Sequence, residues 1–406
     1  MAVYFDAVGQ IVPIKESEKF KAVEFRKFGI YARKTVRFNL RTNKGANVLM
    51  EIGAFYNADD DGKPTNETKV WNNKVGEWIT YDERKNPDYA ELGRFQTSFY
   101  EGNVYSTRNA LKAYEEDRIS SRDADKYNLH DDEEYKVLKK NFTQRVRRYL
   151  FDIDFVNYIE LLLNNYDNYL KDRLFKVSGE WTARYAEATG KYYTTFTPNY
   201  IGYEMNKDAI QEVILKAPFV YDKDAIEEKD GETHVRLYAP LYLREYKNEI
   251  TKGKYLMPLD VILPADDRAR AIRPRFEGVD FTTSKYKEWN AKVEYFSGAE
   301  KKDVEEVDLT PDEKFDIECG FRTLEEIKAE HAREDQKSGG KYNSNQIYGE
   351  RVIKYTLIGC DKGTVGDTEY MDESFELPVH EAVEQAKKVV NEAISNGDEN
   401  DDIFDI

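Results

Sequence analysis

The sequence predicts an α+β protein that is mainly β: one or two small β-barrels, a connecting helix and a C-terminal helix. Three observations carry this. Two stretches, from residue 33 and from residue 175, alternate apolar and polar residues and are broken by glycine-containing turns. Between them, apolar residues recur at three- and four-residue spacing, the period of an amphipathic helix. Roughly five strands within about 90 residues is the spacing of a small barrel.

Taken in order, residues 1–28 are mixed and weakly patterned. Arg33, Thr35, Arg37, Asn39 and Arg41 then fall on one face of a strand, with Val36, Phe38 and Leu40 on the other. Lys44-Gly45 turns the chain, and residues 47–56 return as a second strand. The hairpin so formed has one apolar and one cationic face. Residues 57–68, rich in Asp, Gly, Asn and Pro, read as a loop. Trp71, Trp78 and Tyr81 flank another hairpin, and residues 95–105 add a strand or a pair. An N-terminal β domain over 1–130 results.

Residues 131–172 read as a helical connector, with one helix over 142–175. Phe151, Phe155, Ile159, Leu162, Leu163, Tyr166 and Leu170 form its apolar stripe. A central β domain over 173–265 follows. There Phe175, Val177, Gly179, Trp181, Ala183 and Tyr185 alternate with polar residues, and 192–201 return as the partner strand. Val235, Leu237, Ala239, Leu241 and Leu243 make an inward row, and 254–263 form the last strand, with Pro258 marking an edge or bulge. Residues 266–340 read as a basic, then acidic linker with short helices, whose starts at Thr310 and Thr323 have the capping-box pattern. Residues 341–397 supply a strand and a C-terminal helix packing on the body. Residues 398–406 form a disordered acidic tail. No repeat of fixed period is visible, although the two β regions are candidates for diverged copies of one fold.

Charge is unevenly spread. Residues 299–406 carry 29 acids against 13 bases, so they hold −16 of the chain's net −17. The body is near neutral, and its local fields rather than the total govern which ligands it attracts. Mean hydropathy is −0.78, and no apolar run approaches the ~20 residues that cross a bilayer. The N-terminus lacks a signal-peptide layout. Two cysteines make neither a disulfide framework nor a metal quartet, which fits a reducing cytoplasm.

The sharpest candidate site is the outward row opposite the 235–243 stripe: His234, Arg236, Tyr238, Tyr242, Arg244 and Tyr246. Rings stack on bases and guanidinium groups meet phosphates, the chemistry of an unpaired nucleic-acid strand. The plain alternative is a sheet face covered by another element. The row Arg33, Arg37 and Arg41 is a second phosphate candidate with strong salt dependence expected; the alternative is a solvated strand face. Arg268, Arg270, Arg273 and Arg275 form a third, weighed against a charged linker. Arg145, Arg147 and Arg148 more simply decorate a helix.

Catalytic signals are weak. His130, His234, His331 and His380 have no ligand spacing. Asp59-Asp60-Asp61-Gly62 lacks the chelating pattern of a calcium loop. There is no phosphate-binding loop motif. No metal or cofactor is called for. The tail, with five acids closing on Ile403, Phe404 and Ile406, fits a partner's apolar pocket rimmed by basic groups.

Together these features resemble phage-type single-stranded DNA-binding proteins built on OB-folds. The residues that carry the resemblance are the segment Phe175 to Trp181 with Gly190-Lys191-Tyr192-Tyr193, the basic-aromatic strand face and the tail. Bacterial members end in an acidic run closing on Asp-Asp-Asp-Ile-Pro-Phe. This chain closes on Asp401-Asp402-Ile403-Phe404-Asp405-Ile406, without the proline or the terminal phenylalanine. The resemblance covers about half the chain. It implies one or two OB-like barrels, a non-enzymatic coat on single-stranded DNA in replication, recombination or repair, and a cytoplasmic setting, the host's if viral. Base stacking would fall to Tyr238, Tyr242, Tyr246 and Trp181, and phosphate contact to Arg33, Arg37, Arg41, Arg236, Arg244 and Arg273. Asp401, Asp402, Ile403, Phe404 and Ile406 would recruit replication or recombination proteins. The competing classes are a viral structural or adaptor protein and a metal-dependent nuclease.

Overall fold

The computed structural model describes residues 3–18, 20–89, 91–186, 191–229, 231–242, 254–301, 310–319, 321–323, 326–327, 348–360 and 365–376. In chain order its strands are β1 (Val3–Val12), β2 (Val23–Phe28), β3 (Tyr31–Arg41), β4 (Asn47–Asn57), β5 (Lys69–Asn72), β6 (Glu77–Thr80), β7 (Phe95–Ser98) and β8 (Val146–Tyr149). They continue with β9 (Phe175–Ala186), β10 (Lys191–Tyr203), β11 (Val213–Tyr221), β12 (Ile226–Lys229), β13 (Glu232–Tyr242) and β14 (Lys254–Leu263). The last are β15 (Tyr286–Lys301), β16 (Tyr348–Cys360) and β17 (Gly366–Thr368). Five helices lie between β7 and β9: α1 (Val104–Glu115), α2 (Ser121–Tyr127), α3 (Asp132–Arg145), α4 (Asp152–Asn164) and the single turn α5 (Tyr166–Tyr169).

β1 organises the sheet. It buries Val3, Phe5, Ala7 and Ile11 on one face, the period-two pattern of a half-buried strand. It pairs antiparallel with β3, β9 and β11. Through these pairings 15 strands join in one mixed sheet, and among the described residues only β5 and β6 form a separate ribbon. This corrects the expectation of one or two small OB-like barrels. The pairing of β1 with β11 makes the hydrogen bonding continuous across both β regions.

Inside this sheet one pairing plan occurs twice. β1–β3–β4–β10–β9 returns to β1, with every pair antiparallel except β4–β10. β11–β13–β14–β16–β15 returns to β11, with every pair antiparallel except β14–β16. In each circuit a short strand, β2 or β12, pairs with the second member.

Three further expectations change. The expected central domain over 173–265 is shared out: β9 and β10 belong to the first circuit, while β13 and β14 belong to the second. The expected linker over 266–340 contains the 16-residue strand β15. Its Trp289, Ala291, Val293 and Tyr295 are buried, so the strand is core despite its charged alternate residues. The single helix expected over 142–175 is interrupted. α3 ends at Arg145, β8 pairs with β7, and α4 starts afresh with Asp152 and Asp154 in its first turn, where carboxylates meet the positive helix end. α4 buries Ile153, Phe155, Val156, Ile159 and Leu162, and Lys34 of β3 ties it down through Glu160 at 2.5 Å and Asn157 at 2.8 Å. The helix expected over 379–394 and the tail lie outside the described residues.

Among the described residues no helix is long and apolar enough to cross a membrane.

Candidate nucleic-acid interface

The β3 cation row does not act as one surface. The turn at Lys44-Gly45 sets the β3–β4 register and places Glu51 directly opposite Arg37. Arg37 is 7% exposed. Its Nε donates to Glu51 Oε2 at 2.6 Å, and its Nη1 donates to Glu24 Oε2 at 3.0 Å and to the Lys21 carbonyl at 3.2 Å. Burial alone would push this guanidinium down; the Glu51 and Glu24 carboxylates outweigh it and hold it above its ordinary value. Arg37 is therefore a buried structural cation, and its assignment to phosphate is corrected. Arg33 remains half exposed, 3.8 Å from Glu51 Oε1. Arg41 is exposed and stands opposite Asn47.

The β13 face is likewise neutralised or covered. Arg236 reaches Asp222 at 3.3 Å, and His234 Nδ1 lies 2.7 Å from Asp260. Arg273 is paired with Glu277 at 2.5 Å and Glu228 at 3.4 Å. Tyr238 is half-buried under Phe375, whose ring meets it edge-on at 4.8 Å; burial pushes its phenol up. Among the described residues of the expected basic-aromatic row, His234 and Arg236 face acids and Tyr238 is capped by an aromatic ring. Tyr242 closes β13 in backbone position only, and Arg244 and Tyr246 lie outside the described residues. Trp181 is 1% exposed, against Phe196 in the core, with its Nε1 buried and unpartnered. Its assignment to base stacking is corrected, because β9 turns its odd-numbered face, Phe175, Val177, Trp181 and Ala183, into the core.

A different aromatic surface is present at the open end of the β2–β3–β4 hairpins. Tyr31 and Phe55 stack with centroids 5.4 Å apart and planes 19° from parallel. Tyr31 is 42% and Phe55 60% exposed. Arg33 is the cross-strand partner of both Phe55 and Arg26, and Phe28 is the partner of Tyr31. These five residues therefore share one face, because cross-strand partners do. Arg26 is mostly exposed and paired with Glu24.

The β5–β6 ribbon presents a second pair of rings. Trp71 and Trp78 are direct cross-strand partners, packed edge-on at 5.7 Å, and both are exposed. The opposite side of the ribbon, Val70 and Ile79, packs into the core. Its base adjoins Tyr31: Asn57, the β4 partner of Tyr31, donates from its backbone N–H to Thr68 Oγ1 and from Nδ2 to the Glu67 carbonyl. In the sequence, Phe28, Tyr31 and Phe55 are masked by the cations that alternate along β3. The signal was an aromatic at 55 in the same alternation as Glu51.

Among the described residues no group of three or more His, Cys, Asp or Glu side chains is placed to hold a metal ion. Searches of protein-family models and of curated proteins find no match to the chain.

Proposed function

We propose that this is a non-enzymatic protein that binds single-stranded DNA, with bases stacking on the Phe28–Tyr31–Phe55 face and phosphates meeting Arg33 and Arg26. The observation that carries the reading is the half-exposed Tyr31–Phe55 stack with Arg33 beside it. A stacked aromatic pair left half in water adds a little to hairpin stability and leaves ring faces open, and a base is a third planar ring for the pile. Stacking is worth about 1–3 kcal/mol per base and ignores base identity, so little sequence preference follows. The exposed Trp71–Trp78 pair of the β5–β6 ribbon offers a second pair of rings to bases. Recruitment of replication or recombination proteins by the tail, through Asp401, Asp402, Ile403, Phe404 and Ile406, belongs to this proposal.

The test is fluorescence anisotropy with a labelled oligo(dT). Tyr31→Ala and Phe55→Ala should each weaken binding by about tenfold, taking a stack toward the lower end of that range, about 1.4 kcal/mol. Both side chains are exposed, so the fold should survive. Equal affinity for wild type and the double variant overturns the reading.

A structural or adaptor role draws on one observation of its own. Arg37, Arg236 and Arg273 are already paired with acids, which leaves an aromatic rather than a cationic surface, and such patches also bury against proteins. Defined oligomers that ignore oligo(dT), measured by sedimentation, would favour it.

A further inference from the structure

A cleft of about 340 Å³ opens where the two circuits meet. β4 and β10 of the first line one side; β15 and β16 of the second line the other. The seam is held from both sides. Lys44 Nζ reaches across to Glu294 Oε1 at 2.6 Å. Gly298 lies against the β3–β4 turn so closely that a Cβ there would meet the Gly45 carbonyl oxygen at 2.4 Å. The cleft is therefore preformed.

Its chemistry is specific. Phe196 and Tyr295 are buried, with ring centroids 4.9 Å apart and planes at 57°. Tyr193, Leu49 and Ile353 stand exposed at its mouth. Asn47 lines it with a side-chain Oδ1 that is wholly buried and has no hydrogen-bond partner. A buried acceptor without a donor is costly and rare, and the side chain that carries it belongs to a residue lining the cleft. Arg41 is the direct cross-strand partner of Asn47; it is exposed and makes no ion pair among the described residues. One opening thus offers aromatic walls, an unanswered acceptor and a neighbouring cation.

We propose that this cleft binds one nucleotide. Its base enters among Tyr193, Phe196 and Tyr295 and, as the Asn47 amide turns toward it, donates an N–H to Asn47 Oδ1, while its phosphate meets Arg41. The volume lies at the lower end of small-ligand sites. The nucleotide is either one unit of a bound strand or a free mononucleotide, and only the first source rests on the single-strand reading above.

The experiment is calorimetric titration of the full chain with dAMP, deoxyadenosine and deoxyribose 5-phosphate. dAMP should bind, and deoxyribose 5-phosphate should not. Asn47→Leu should weaken dAMP about tenfold, the effect of one lost buried hydrogen bond. Tyr193→Ala changes an exposed rim residue, so it should fold and weaken dAMP to a similar degree. Arg41→Ala should bring dAMP down to the affinity of deoxyadenosine and leave deoxyadenosine unchanged. If dAMP does not bind at millimolar concentration, or binds Tyr193→Ala as it binds wild type, the proposal falls. Competition between dAMP and oligo(dA) assigns the cleft to a strand base, and simultaneous binding assigns it to the free nucleotide; both keep the proposal. Strand binding without dAMP binding sinks this inference and spares the reading above. dAMP binding without strand binding does the reverse.

Discussion

Arg37→Met converts a buried cation into an apolar side chain of similar length and separates a structural role from a ligand-binding one. Arg37 now satisfies Glu51 at 2.6 Å and Glu24 at 3.0 Å. At about 4 Å between charge centres and an effective dielectric of about 20, one such pair is worth about 4 kcal/mol before desolvation. Removing one partner of a buried pair costs about 3–5 kcal/mol, because the other charge stays buried. Two features favour the low end. Glu51 keeps Arg33 at 3.8 Å, and the Glu24 side chain is 28% exposed. The expectation is a loss of about 3 kcal/mol, which lowers a urea midpoint by about 1 M at a slope of about 3 kcal/mol per M. Arg37→Met with Glu51→Leu removes the orphaned carboxylate and should recover most of that loss, a coupling of about 2–3 kcal/mol in a double-mutant cycle. Oligo(dT) affinity should stay within about twofold wherever the single variant is folded. A midpoint that barely moves, together with a tenfold loss of affinity, refutes this account and returns Arg37 to the ligand.

Three further outcomes are expected. Two exposed arginines on the stacking face, each meeting one phosphate, give a slope of about −1.4 in log affinity against log salt, from about −0.7 per phosphate for single strands; a slope several times steeper would mean a cationic channel elsewhere. Burial raises the Asp152 carboxyl above the ordinary carboxylate range, against the lowering pull of Arg94 and of backbone donors at Ile153 and Phe55. Its folded form therefore holds its proton to higher pH than the unfolded form, and stability falls as pH rises through that window. Asp152→Asn should then raise the urea midpoint at pH 7, with the gain shrinking toward pH 4; a gain that grows on acidification contradicts the sign. Deleting residues 398–406 removes five carboxylates that mimic phosphates, so oligo(dT) affinity should rise at low salt; an unchanged affinity counts against competition by the tail.

The sequence carried local order well, because strands and helices announce themselves by period. The alternation from Arg33, the turn at Lys44-Gly45 and the return strand are β3 and β4, and the stripe from Phe155 to Leu162 is α4. The alternation of Val3, Phe5, Ala7 and Ile11 was equally available and marks the strand at the centre of the sheet. β15 was obscured by its alternating Lys and Glu, which are the solvent side of a buried row.

What tertiary structure decided was partnership. A row of arginines in one strand has no fixed meaning until the opposite strand's register is known. Glu51 faces Arg37, Asp222 meets Arg236 and Glu228 meets Arg273, so these three of the six arginines read as a phosphate surface are held in ion pairs. Nothing local to Trp181 tells which face of β9 is covered by the rest of the sheet. The continuity of the sheet through β1 and β11, the cleft at that seam and the exposed Tyr31–Phe55 stack all arise from contacts between residues far apart in the chain. Such contacts depend on which apolar faces find each other during burial, and a period along one segment records only that a face exists.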